Sequence, residues 1–372
     1  MELYVGLMSG TSLDGADAVL VDLSGAQPRI LASAHEPFDA ALRAELLALN
    51  APGVNEIERA ALAGNLLVQR YADAVQALLS RSGKSRALLS RSGKLPSTVR
   101  AIGCHGQTVR HHPERGYTVQ IGNPALLAEL CGTRVVADFR SRDVAAGGQG
   151  APLAPAFHAA VFASRDESRA ALNLGGIANL SWLPRSGRVT GFDCGPGNCL
   201  LDLWAALHLR KPHDKGGRWA AGGKAVPALL ERMLAEPFFA LSPPKSTGRD
   251  LFNEAWLDRM LEGNEDARSV QATLLELTAR TIANAIRGRC RGARRVIACG
   301  GGVKNGALMR RLGELLAPAA LETSVRYGLD PQLVEATAFA WLAKQALEGK
   351  PGNLAAVTGA RGARVLGAVY PP

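Results

Sequence analysis

Apolar and polar positions fall into two blocks that open the same way. Residues 4–8 form a short apolar run closed by Ser9-Gly10-Thr11-Ser12, and a second apolar run follows over 16–23. Two such runs joined by a Gly/Ser/Thr/Asp turn predict a β-hairpin opening a sheet. Residues 29–37 read as a third strand, and 40–49 and 55–79 have helical spacing. Near residue 170 the plan restarts. Residues 170–174 end in Gly175-Gly176, 177–183 is a second apolar run, Pro184-Arg185-Ser186-Gly187 makes a turn, and 188–192 gives a third strand ending at Asp193. Further on, 271–287 places Leu274, Thr278, Ile282 and Ala285 on one helical face. A buried-strand run over 295–299 ends in Gly300-Gly301-Gly302, and helical spacing resumes over 303–316 and 333–347. Strand, glycine turn, then helix places a ligand at a strand's carboxyl end.

Length and composition sharpen this picture. The chain of 372 residues suits two domains of conventional size, and 47% hydrophobic with 20% charged residues is globular composition. The 41 glycines cluster where strands end, which favours an α/β protein with glycine-rich ligand turns. A formal charge of +10 suits a partner that is a polyanion, nucleic acid or ATP alike. The basic residues are scattered and only 5% of residues are aromatic, so no basic stripe with stacking rings exists and nucleic acid is not expected. Cys104, Cys131, Cys194, Cys199, Cys290 and Cys299 include no CxxC pair and no metal spacing, which predicts small buried hydrophobes in a reducing compartment. The N-terminus enters a strand at once, and no apolar stretch reaches the roughly 18 residues that span a bilayer. A cytoplasmic protein without a membrane partner is expected. A decapeptide duplication, Ala77-Leu78-Leu79-Ser80-Arg81-Ser82-Gly83-Lys84 recurring at 87–94, lengthens a helix end or loop; Leu78 stands where a P-loop needs its first Gly, so that motif fails.

Candidate chemistry gathers at the glycine turns. In Gly10-Thr11-Ser12-Leu13-Asp14-Gly15, hydroxyls and backbone N–H groups can cradle phosphate oxygens, and Asp14 and Asp17 can hold Mg²⁺ through water; an ordinary hairpin turn is the alternative. Asn173-Leu174-Gly175-Gly176-Ile177-Ala178-Asn179 is the counterpart in the second block. Two such turns suggest phosphate loops facing each other across a cleft. Asp193, in Gly191-Phe192-Asp193-Cys194-Gly195-Pro196-Gly197-Asn198, is placed either as a general base or as the cap of the helix that follows. Gly103-Cys104-His105-Gly106-Gln107-Thr108 sets polar side chains between glycines, suited to a polyhydroxylated ligand or to a satisfied core histidine. His111 and His112 read as loop residues rather than metal ligands. The arginines of Asp138-Phe139-Arg140-Ser141-Arg142-Asp143, ahead of the glycine-rich 147–153, can hold a carboxylate or lie on a solvated loop.

Taken in order, these motifs resemble a known family. Gly6-Leu7-Met8-Ser9-Gly10-Thr11-Ser12-Leu13-Asp14-Gly15 is similar to the opening signature of the anhydro-N-acetylmuramic acid kinases. So are the blocks at 103–108, 173–179 and 193–198, Gln120-Ile121-Gly122-Asn123-Pro124, Lys245-Ser246-Thr247-Gly248-Arg249-Asp250-Leu251-Phe252-Asn253, and Gly300-Gly301-Gly302-Val303-Lys304-Asn305. The resemblance covers nearly the whole chain. It implies a two-domain α/β fold of the actin-like ATPase class (sugar kinases, heat-shock ATPases, actin) with a cleft between domains, divided here as 1–140 and 141–372. It implies ATP and Mg²⁺ as cofactors, an amino sugar as substrate, and a homodimer.

The implied reaction converts 1,6-anhydro-N-acetylmuramic acid, ATP and water to N-acetylmuramic acid 6-phosphate and ADP, in cell-wall recycling. By similarity Asp193 is the base that deprotonates water. Gly10, Thr11, Ser12, Leu13, Asp14, Gly15, Ala16 and Asp17 form the ATP phosphate loop, with Gly175 and Gly176 as the second. Gly300, Gly301 and Gly302 border the adenosine, while His105, Gln107, Asn198 and Glu335 face the sugar. No side chain is assigned as a direct metal ligand. Cys104 and Cys194 stand where the family pattern has Ser and Thr, which weakens any hydroxyl hydrogen bond there. The competing readings are an actin-like-fold kinase for another sugar or sugar acid, which consumes no water, and a non-catalytic actin-like ATPase.

Overall fold

A computed structural model describes residues 1–10, 13–81, 95, 97–243 and 245–372. Thr11, Ser12 and most of the duplicated 77–94 segment lie outside the described residues. The chain forms two compact units: residues 1–157, 327–329 and 333–372 make the first, and 158–326 with 330–332 the second.

The first unit is built on a six-stranded sheet. Its strands are β1 (Leu3–Met8), β2 (Gly15–Asp22), β3 (Arg29–Pro37), β4 (Val99–Cys104) and, after a separate hairpin of β5 (Gln107–His112) and β6 (Tyr117–Ile121), β7 (Val135–Ala137). The C-terminal strand Ala368–Tyr370 closes the edge antiparallel to β7. β1 and β2 pair antiparallel as the predicted hairpin and the third strand, β3, adds antiparallel to β2, whereas β4 pairs parallel with β1. Alternation along β1 fixes its two faces. Leu3, Val5 and Leu7 join the core under helix Glu56–Arg81, and Tyr4 joins the core under helix Val334–Leu347. Gly6 and Gly103, register partners on β1 and β4, lie on that second face. A Cβ at Gly6 would stand 1.9 Å from the Ala336 carbonyl oxygen, and one at Gly103 2.0 Å from that of Phe339. The helix, presenting Ala336, Ala340 and Ala343, therefore rests directly on backbone.

The second unit repeats the plan on a five-stranded sheet, with β8 (Arg169–Leu174), β9 (Ile177–Leu183), β10 (Thr190–Pro196), β11 (Arg295–Cys299) and β12 (Ala320–Thr323). β8 to β10 run antiparallel, β11 pairs parallel with β8, and β12 parallel with β11. With the C-terminal strand Ala368–Tyr370 set aside, strand order and direction match those of the first sheet. Two α/β units with the same hairpin-opened sheet are the architecture the actin-like class implies. Helix Ala267–Arg289 is buried almost continuously from Val270 to Ala283, and Leu274, Thr278 and Ile282 face inward as expected, Ala285 partly so.

Three features differ from the sequence reading. A single cut after residue 140 does not describe the units, because helix Val334–Leu347 and the C-terminal strand belong to the first sheet. β10 does not end at Asp193 but continues to Pro196 through an irregularity between Asp193 and Gly195, which has φ +148°. His111 and His112 lie in β5 rather than a loop, His111 paired through Nδ1 with the Thr118 hydroxyl at 2.9 Å. All six cysteines are buried and unbridged, as expected. Among the described residues no helix is long and apolar enough to cross a membrane.

Candidate active site

In the first unit, candidate residues converge at the carboxyl ends of β1 and β4. Ser9, the last residue before the glycine turn, is fully buried. The Tyr71 hydroxyl lies 2.7 Å from Ser9 Oγ, which donates to Gln107 Oε1 at 2.8 Å. Gln107 thus braces the turn from beneath, with its Oε1 committed to that task. The Leu13 N–H donates to the Gly10 carbonyl at 3.3 Å, and Leu13 adopts φ +53° with its side chain in the core. Ala16 is also core, so these two residues have only backbone to offer a ligand. Gly15 has no room for a side chain, since a Cβ would stand 2.5 Å from the Glu36 carbonyl oxygen. Asp14 is exposed, and Asp17 is half-exposed with His35 Nδ1 2.8 Å from its carboxylate.

His105 is buried, and Arg140 contacts its Nε2 through Nη2 at 2.9 Å and Nε at 3.2 Å. A guanidinium only donates, so Nε2 accepts and the ring proton resides on Nδ1. Among the described residues that Nδ1–H meets no acceptor in good hydrogen-bond geometry, although the Gly106 and Ser9 backbones lie close enough to favour the protonated ring. Burial, with Arg140 adding to it, pushes the His105 pKa down to about 3, so the ring is neutral at physiological pH. Phe339 packs on it at 4.7 Å between centroids. His105 is therefore a core histidine in packing, yet it lines a cavity of about 290 Å³ with Gly106, Gln120, Gly122, Asn123 and Ser141. Burial lowers the Arg140 pKa to about 10, opposed by Glu335 and Asp143. The Glu335 side chain is accessible, but the protein around it first, and Asp17 second, push its carboxyl upward while Arg140 pulls it down.

In the second unit the three glycine turns meet where β8 and β11 end side by side. The Gly176 carbonyl accepts from the Gly197 and Cys199 N–H groups, and the Gly175 carbonyl from that of Asn198. Asn198 Nδ2 donates to the Leu174 carbonyl at 3.0 Å, which makes Asn198 a clamp on this turn. Gly300, at φ +83°, has no room for a Cβ, which would lie 2.4 Å from Asn173 Oδ1; at Gly302 it would lie 2.7 Å from Leu174 Cβ. Gly301 is open, with nothing within 4 Å. So Gly300 and Gly302 build the turn, and Gly301 presents it.

Asp193 sits on β10 opposite Asn179. The Thr247 N–H donates to its Oδ2 at 2.9 Å, and its own N–H donates to the Lys245 carbonyl at 3.1 Å. It does not cap helix Cys199–Leu209, whose N-cap is Asn198. Burial raises its pKa to about 6, against the Thr247 hydrogen bond and the Lys245 charge. Lys245 is itself held by the Phe238 and Phe239 carbonyls at 3.1 and 3.3 Å. The register shift after Asp193 leaves Cys194 unpaired and keeps Asp193 in the ladder, bending the strand just past the carboxylate, as bulges beside sites do.

The segment 245–249 carries signals the sequence reading left without a role. It supplies the hydrogen-bond partners of Asp193 and brings Arg249 to the second glycine turn, 3.9 Å from where a Gly176 Cβ would be. Asp202 was also missed. It lies in the first turn of helix Cys199–Leu209, with its pKa raised to about 7 by burial against the pull of Arg249.

The family model for anhydro-N-acetylmuramic acid kinase matches residues 2–372. The chain belongs to the anhydro-N-acetylmuramic acid kinase family. It is 54% identical to the kinase of that name from Cupriavidus pinatubonensis, covering 99% of this chain and 98% of that one. It is 54% identical to the one from Pseudomonas putida, covering 100% of both. Among solved structures it is similar to the ADPNP-bound activator of the 2-hydroxyisocaproyl-CoA dehydratase from Clostridium difficile, at 14% identity, TM-score 0.47 and coverage of 93% and 97%. It is also similar to a ROK hexokinase from Thermus thermophilus, at 16% identity, TM-score 0.37 and coverage of 92% and 99%. The match to the anhydro-N-acetylmuramic acid kinase family spans every motif block quoted above, 245–253 included.

Proposed function

We propose that the chain is an ATP-dependent kinase that opens 1,6-anhydro-N-acetylmuramic acid with water and phosphorylates it to N-acetylmuramic acid 6-phosphate. Asp193 supports this reading best: a mostly buried carboxylate with its pKa raised to about 6, held by one backbone N–H and not used as a helix cap. Ring opening of an acetal by water needs such a base, as in glycoside hydrolysis. A carboxylate poised near the working pH takes a proton without being fully protonated beforehand.

Asp193 takes a proton from water, whose oxygen attacks the anomeric carbon; the bond from that carbon to O6 breaks. O6 takes the γ-phosphoryl group, and ADP departs. Phosphorylation neutralises the leaving oxygen, so no second carboxylic acid is required.

The phosphates are assigned to the backbone of Gly10, Thr11, Ser12, Leu13, Asp14, Gly15, Ala16 and Asp17 and to Gly175 and Gly176. The adenosine is assigned to Gly300, Gly301 and Gly302. His105 offers an Nδ1–H donor to the sugar, Glu335 a carboxylate, and Gln107 its amide N–H₂, whereas Asn198 acts by holding the glycine turn. Glu335 and Asp17 are carboxylates that act on each other unfavourably, a donor set a hydrated cation would relieve. Mg²⁺ held through water near Asp14 and Asp17 would supply charge neutralisation for the phosphates. We further propose a cytoplasmic homodimer acting in peptidoglycan recycling; sedimentation at micromolar concentration tests the dimer.

An ADP-release assay with 1,6-anhydro-N-acetylmuramic acid and with N-acetylmuramic acid tests the function. Turnover confined to the anhydro sugar is expected. Equal turnover of the open sugar, or of neither, refutes the reading.

A further inference from the structure

The geometry points to Asp143 as a positioning residue for the first unit's site: through Gly150 it fixes Arg140, and Arg140 fixes His105 as an Nδ1–H donor.

Asp143 is fully buried, and none of the sugar or nucleotide roles above involves it. Its Oδ2 accepts from the Gly150 N–H at 2.8 Å. Its Oδ1 accepts from Asn353 Nδ2 at 2.6 Å and from Thr358 Oγ at 2.7 Å. The loop wraps the carboxylate so closely that a Cβ at Gly148 would stand 2.2 Å from Asp143 Oδ2. Gly150, at φ +66°, then turns its carbonyl to accept from Arg140 Nη1 at 2.8 Å. The other face of the guanidinium contacts His105 Nε2.

Each link is directional. A carboxylate only accepts, so Gly150 must present its N–H to Asp143. A guanidinium only donates, so the Gly150 carbonyl and His105 Nε2 must both accept. The chain of bonds thus specifies which nitrogen of His105 carries the proton, as the orienting partner of a histidine does elsewhere. Arg140 is the charged group in contact with the ring; Glu335 and Asp143 act on it through Arg140. The far end is anchored by the C-terminal segment, where the Gln149 N–H donates to the Thr358 carbonyl at 2.7 Å and the Arg361 N–H to the Ala146 carbonyl at 2.9 Å.

The test reads His105 directly, without substrate, so its outcome is separate from that of the proposed activity. ¹⁵N NMR of histidine-labelled protein, assigned with His105→Gln, reports tautomer and protonation. Wild type is expected to show a single Nδ1–H tautomer that does not titrate between roughly pH 5 and 8. In Asp143→Asn the amide must turn an N–H₂ toward one of its former donors, which releases Gly150 or the C-terminal segment. A mixture of tautomers, or titration within that window, is expected. The gentler Thr358→Val removes one partner without touching the carboxylate and is expected to move the spectrum the same way, less far. A His105 signal unchanged in both variants overturns the proposal. Displacing Arg140 by about an ångström is expected to lower kcat/KM for the sugar on the order of 10–100-fold in Asp143→Asn.

Discussion

Replacing Asp193 by Asn separates what the carboxylate does for turnover from what it does to stability. Burial raises its pKa from 3.8 to about 6, so the folded protein holds this proton more tightly than the unfolded chain. The stability tied to that proton is fully present below the unfolded pKa and is lost as pH rises through the folded one. At 1.36 kcal/mol per unit, a shift of about 2 units makes the ionised form cost up to ~3 kcal/mol at pH 8. Asn carries no charge and can still accept from the Thr247 N–H. Asp193→Asn is therefore expected to melt several degrees above wild type at pH 8, the difference shrinking toward nothing near pH 4. Its kcat should fall by about 10²–10⁴-fold while sugar and ATP affinities change little. Wild-type kcat/KM should rise with pH through about 6 and level off above it. Calorimetry and turnover on the same preparations across pH check both halves. A variant retaining more than about a tenth of wild-type turnover, or one whose stability change does not vary with pH, refutes the reasoning.

Gly301→Ala meets nothing within 4 Å and should melt as wild type while KM for ATP rises several-fold; an unchanged KM removes Gly301 from the nucleotide site. Gly300→Ala, at φ +83° and 2.4 Å from Asn173 Oδ1, should instead lose about 1–3 kcal/mol in urea unfolding. Gly6→Ala drives a methyl into the Ala336 carbonyl at 1.9 Å and should cost about 3 kcal/mol or more by lifting helix Val334–Leu347 off its sheet; an unchanged urea midpoint contradicts that packing. Asp17→Asn removes a carboxylate that adds to the burial-driven rise of the Glu335 pKa, and a Mg²⁺ titration of activity should shift to higher concentration; an unshifted curve dissociates Asp17 from the cation.

What the sequence made legible was local. Both hairpins showed as paired apolar runs around glycine turns, and their repetition revealed two similar sheets. Asp193 was visible as a carboxylate among glycines, but the irregularity that follows it in β10 was not, because it depends on pairing with β9. The membership of helix Val334–Leu347 in the first unit was hidden for the same reason: its partners Gly6 and Gly103 lie far back in the chain. Segment 245–249 has no period to read, since its backbone bonds run to Asp193 rather than along a regular element. Asp143 looks like one more surface acid, and its contacts with Asn353 and Thr358, 210 and 215 residues away, cannot be read from its neighbours in the chain. Ala16 and Leu13 fell within the phosphate signature, yet their side chains belong to the core.

In the proposed reaction water opens the sugar ring while phosphate comes from ATP. Reaction in ¹⁸O-labelled water, followed by mass spectrometry of the product, reads this directly. One labelled oxygen is expected on the anomeric carbon of N-acetylmuramic acid 6-phosphate and none in its phosphate. Label in the phosphate, or product formed at full rate with none in the sugar, would contradict it.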